Sequence, residues 1–148
     1  MTALTVVTAV ACGLVSGVFF AFSTFVMGGL RAADDEVGLR AMQSINRAAP
    51  TPLFMLALLG TAIACVVLGV WSLFDLDRDG AWLVVVGCAL YLVTIVVTGV
   101  YHVPRNNALL VTDDPKAWTA YAGPWVSWNH LRTLASLGAA ALLTVSLV

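Results

Sequence analysis

The chain is 148 residues long, 61% hydrophobic and only 10% charged, with a mean hydropathy of +0.97 and a net charge of -1. Soluble domains are about half apolar and a quarter charged, and so short a chain cannot hide this much apolar surface in its own core. Lipid must be the solvent for much of it, and there is no basic surface for nucleic acid.

The first apolar stretch spans 2–30. No positive charge precedes it and it is too long for a signal core, so it is expected to remain as a helix. The polar stretch 31–50 holds Asp34, Asp35, Glu36, Arg40 and Arg47. Its apolar positions Val37, Leu39, Met42 and Ile45 follow a helical period only in part, which suggests a short interfacial helix. A second apolar stretch covers 51–74, and Asp75 to Gly80 form a tight acidic turn. A third covers 81–103, where Pro104 is expected to end the helix. A polar loop runs to about Pro124, and the last stretch covers 125–148.

Each stretch has the roughly 20 apolar residues that cross a hydrocarbon core, and only helices satisfy their own backbone there. The expected fold is all-α: one membrane domain, 1–148, built as a four-transmembrane-helix antiparallel bundle. Gly13 with Gly17, and the small residues from Gly138 to Ala141, allow close helix contacts. Arg31, Arg40 and Arg47 in one long loop, and Arg105 and Lys116 in the other, outweigh Arg78 in the short turn. By the positive-inside rule both longer loops are cytoplasmic and both termini lie outside, in the plasma membrane. A bundle of four short helices is thin, which leaves room for a homo-oligomer.

Cys12, Cys65 and Cys88 lie far apart in sequence, inside apolar stretches, with no C-x-x-C pair. That argues against zinc, iron–sulfur and thiol–disulfide chemistry, thiol–quinone exchange included, and suggests buried hydrophobes.

Four helix ends meet at the cytoplasmic face, and the polar side chains gather there. Ser23 and Met27 end the first helix, and Asn46 precedes the second. Tyr101, His102 and Asn106 end the third, and Trp125, Trp128, Asn129, His130 and Arg132 open the fourth. Tyr91, Thr94, Thr98, Tyr101, His102 and Arg105 recur three or four apart, as do Trp125, Trp128, Asn129, Arg132 and Ser136. Polar stripes on apolar spans should face the interior. His130 lies about 100° round from Asn129. Trp71, Trp82 and Trp118 read as interfacial anchors or packing, and Asn106 and Asn107 as caps of a turn.

The run Gly17-Val-Phe-Phe-Ala-Phe-Ser23 with Val26-Met-Gly-Gly-Leu30 resembles the first helix of the anthrone oxygenase family. Asn46, the run Val103-Pro-Arg-Asn-Asn107, Trp118, Trp125 and Trp128-Asn-His-Leu-Arg132 resemble its later motifs. The resemblance implies a small membrane protein of four helices. Fungal members of the family oxidise an anthrone to an anthraquinone with molecular oxygen, so it also implies a lipophilic aromatic substrate and O2. The motifs carry Ser23, Asn46, Asn106, Trp128, Asn129, His130 and Arg132.

Three functions are compatible with these residues. The first is an oxygenase that needs no cofactor. His130 or His102 would take a proton from the substrate, with Arg132 and Asn129 stabilising the resulting oxyanion. Trp125, Trp128, Tyr101, Ser23, Met27, Asn46 and Asn106 would line the site. The second is a redox protein holding haem, copper or iron on His102 and His130. The third is a non-enzymatic membrane subunit or lipophile-binding protein.

Overall fold

The computed structural model describes all residues, 1–148, and is all-helical: 86% of the chain is helix and there is no strand. Five continuous helices follow one another. They are α1 (Thr2–Ala32), α2 (Asp35–Ala48), α3 (Pro52–Leu73), α4 (Ala81–Leu110) and α5 (Pro115–Val145).

Three of them, α1, α3 and α4, are long and apolar enough to cross a membrane. This departs from the expected four. The exception is α5, whose polar residues Asn129, His130 and Arg132 and whose polar start at Pro115 and Lys116 lower its average hydropathy.

The helices run antiparallel in sequence order. Ser16 of α1 bonds Thr133 of α5, while Phe19 bonds Asn129. Gly87 of α4 packs on Ala139 and Leu142, while Thr94 reaches Arg132. The α5 helix packs on both α1 and α4, and α3 packs on α4 and α1. Val7, Val10, Leu14, Phe20, Ile63, Val96, Leu134 and Leu137 remain exposed around the outside. A belt of exposed aliphatic side chains on every long helix is the surface that lipid, not water, covers.

Two apolar cores fill the inside. The first joins Val15, Phe19, Leu58, Leu68, Tyr91 and Leu143 from the four long helices. It also brings Cys12, Cys65 and Cys88 together as free buried thiols, although they are remote in sequence. The second core joins Met27, Leu39, Met42, Leu109, Trp118, Tyr121 and Trp125 at the polar end. It exists because 35–48 is a helix, α2. Leu39 and Met42 of α2 face inward, while Val37 is exposed, which is why the period read from sequence was only partial. Gln43 pins α2 in place: its Nε2 donates to the Leu109 carbonyl at 2.9 Å and to the Thr112 carbonyl at 2.8 Å.

Pro104 does not end its helix, and Pro124 does not lie in a loop. Pro104 follows a π-turn at Thr98–His102 and stands in the first turn of the α-segment that continues α4 to Leu110. There its missing N–H and fixed φ cost little. Pro124 lies inside α5, which begins at Pro115 instead of residue 125. Asp114 caps that start, its Oδ1 accepting from the Lys116 N–H at 3.0 Å.

Candidate functional site

A cavity of about 610 Å³ lies between the two cores. Its walls are Val18, Phe19 and Phe22 of α1, Met42 and Asn46 of α2, and Phe54, Met55 and Leu58 of α3. Thr98, His102 and Asn106 of α4 and Trp125 and Arg132 of α5 complete it, and Ala48 to Thr51 form one rim. All three π-turns touch it, at Phe22, at Leu58 and at Thr98 with His102. Each turn shifts the helical register by one residue, and such turns concentrate at functional sites.

Arg132 is 5% exposed. Its Nη1 donates to Thr98 Oγ1 at 3.1 Å and its Nη2 to Asn129 Oδ1 at 2.6 Å. Its guanidinium carbon lies 4.2 Å from the Phe19 ring centre and 5.4 Å from that of Trp125. No carboxylate pairs with it. The ion pairs of the protein are Arg40 with Asp113 and Arg78 with Asp75, both at the surface.

The partner of Arg132 is itself fixed. Asn129 Nδ2 donates to the Phe19 carbonyl at 2.7 Å and to Ser23 Oγ at 2.8 Å. Thr133 Oγ1 donates to the Asn129 carbonyl at 3.0 Å and lies 3.1 Å from Ser23 Oγ. Asn129 and Arg132 stand three apart on α5, on the face that also carries Trp125 and Ser136. Ser136 Oγ donates to the Arg132 carbonyl at 2.6 Å, and of the guanidinium nitrogens Nε alone has no partner.

Four buried side-chain nitrogens have no hydrogen-bond partner: Asn46 Nδ2, His102 Nδ1 and Nε2, and Arg132 Nε. Their three residues all line this cavity and come from three different helices. Buried polar groups without partners are rare and costly. Three residues contributing them to one cavity make it the candidate site.

Aromatic rings hold this wall. Asn106 Oδ1 accepts from Tyr121 Oη at 2.8 Å and from Trp125 Nε1 at 3.0 Å. Asn106 is thus a clamp across α4 and α5 and not a turn cap. The Trp125 ring meets His102 edge to face at 4.9 Å. Tyr101 meets His102 at 5.4 Å, stacks on Trp128 at 4.7 Å, and carries the Arg105 guanidinium 4.4 Å above its ring. Trp128 is 43% exposed and does not line the cavity.

The residues singled out from sequence therefore separate. His102, Arg132, Asn46, Asn106 and Trp125 line the cavity, and Asn129 and Ser23 stand behind Arg132. Met27 is buried in the polar-end core. His130 is exposed on the outside of α5. The structure does not bring the two histidines together, and no three His, Cys, Asp or Glu side chains converge on one point. Phe19, Phe54, Met55 and Thr98 had not been assigned to the site. Thr98 has a signal in the sequence, its place on the polar stripe of α4, and Phe19 lies in the run 17–23 that resembles the family's first helix, while Phe54 and Met55 carry none.

Comparison with curated proteins and with solved structures finds no match. The model of the anthrone oxygenase family matches residues 53–142. The match includes His102, Asn106, Trp125, Asn129 and Arg132, and leaves Ser23, Met27 and Asn46 outside. With more than half of its length matched, the chain belongs to the anthrone oxygenase family.

Proposed function

We propose that this is an integral membrane oxygenase acting with O2 on a flat, lipophilic aromatic of the anthrone type, and that His102 is its base. The observation that carries this reading is the unpartnered His102 imidazole, set beside an uncompensated Arg132 in a cavity with aromatic walls.

In this reading α5 is the fourth crossing. Its low mean hydropathy comes from Asn129 and Arg132, which turn inward, while Leu131, Leu134 and Leu137 face out. The 31 residues of α5 reach about 46 Å. The arginines of the two longer loops support a cytoplasmic position for the cavity.

His102 takes a proton from the substrate's methylene. The charge moves onto the carbonyl oxygen across the ring, which Arg132 stabilises, while Asn46 Nδ2 donates to a second oxygen of the substrate. The carbanion passes one electron to O2, and the radical and superoxide combine into a peroxide at that carbon. The remaining methylene proton leaves and the O–O bond breaks. Methylene and O2 thus become ketone and water, with no other reductant. Nothing in these steps requires a cofactor.

The test uses the purified protein in lipid nanodiscs with an anthrone and ¹⁸O₂. One O2 should be consumed per anthrone, and one labelled oxygen should appear in the quinone. Binding of the anthrone without oxygen consumption would make the protein a lipophile carrier and overturn the oxygenase reading.

A further inference from the structure

Arg132 is buried among Phe19, Trp125, Thr98 and Asn129 with no carboxylate against it, and all eight acidic residues lie outside its surroundings, in turns or at helix starts. Removing a cation from water without a counter-ion is costly. Its Nε and both His102 nitrogens are also free, and Asn46 presents a further free N–H from α2. The cavity thus offers one cationic donor and one neutral donor from different walls, and apolar surface between them.

We infer that the cavity is selective for ligands in their ionised form: an aryl oxyanion paired with Arg132, on a flat ring system whose second oxygen accepts from Asn46. The ligand supplies the counter-ion that the fold leaves out. Affinity then follows the acidity of the ligand's hydroxyl, and acidic phenols that lack an oxidisable methylene are inhibitors. This rests on the same cavity as the oxygenase reading, but it concerns binding alone and stands or falls without turnover.

The probes are 2-hydroxyanthraquinone and its methyl ether, which share one shape and differ in whether they ionise. Neither has a methylene to oxidise. Binding is measured to the full chain in nanodiscs of neutral lipid, without oxygen, at a pH about one unit below the free phenol's midpoint. The phenolate absorbs at longer wavelength than the phenol, so the spectrum reports the bound form. The expected result is the phenolate band in the bound probe, a midpoint lowered by at least about one unit, and an ether at least about tenfold weaker, as for the loss of a charged hydrogen bond. Arg132→Gln should abolish the shift and Arg132→Lys should retain part of it. Equal affinity for phenol and ether, or a neutral bound probe in the unaltered protein, would overturn the inference whether or not the variants fold. A phenolate bound with no anthrone turnover would leave it standing and remove only the oxygenase reading.

Discussion

Arg132 and His102 carry three of the four buried side-chain nitrogens that lack a hydrogen-bond partner. A buried charge without a counter-ion carries a desolvation penalty of several kcal/mol that no Coulomb attraction offsets. Arg132→Met should therefore leave the ligand-free protein at least as heat-stable as the parent while removing turnover. A clear fall in its melting temperature would show that the hydrogen bonds to Thr98 and Asn129 outweigh the burial cost. Asn106→Ala should act in the opposite direction. It strips partners from Tyr121 and Trp125, and unpaired buried donors cost about 1–3 kcal/mol each. Thermal unfolding of the variant should show the loss. Both histidines read as candidate bases in the sequence, although only His102 falls on a polar stripe. What separates them is rotation: His130 is one residue past the inward Asn129, and so faces out.

The helix that decides the cavity is α2, which closes the polar end and supplies Asn46. Gly38 lets it dock. A Cβ there would lie 2.5 Å from Trp118 Nε1 and 2.9 Å from the Leu30 carbonyl. Gly38→Val should lift α2, raise protease cleavage within 31–50, and weaken ligand binding by at least about tenfold. That magnitude is the upper end for one lost neutral hydrogen bond, about 1.5 kcal/mol, here the one from Asn46. An unchanged cleavage pattern would refute the docking role. Elements were legible in proportion to their regularity. The apolar stretches gave α1, α3 and α4 directly. The continuation of α4 past Pro104 was hidden because the proline rule assumes an unbroken α-helix, and here a π-turn precedes the proline. The π-turns themselves carry no sequence signal.

For the molecule as a whole, composition alone required lipid as solvent, and the exposed aliphatic belt agrees. The stretch 125–148 reads as a fourth span in the sequence, whereas α5 is not among the three helices apolar enough to cross, because an average over a helix mixes its outer face with its polar inner face. Nor did sequence separation show that the three cysteines share one core. Orientation is testable because those cysteines are buried and will not label. Ser44→Cys should react with an impermeant maleimide only after the membrane is opened, and Asp77→Cys should react in intact cells; the reverse pattern would invert the topology. The most direct test of the central claim is anthrone-dependent oxygen uptake by the His102→Gln and His130→Ala proteins side by side, both shown to bind 2-hydroxyanthraquinone. Loss of a general base predicts a fall of about 10²-fold or more in kcat for the first, with the second within about twofold of the parent. Equal activity of the two, or a loss confined to His130→Ala, would contradict the assignment of the cavity as the reaction site.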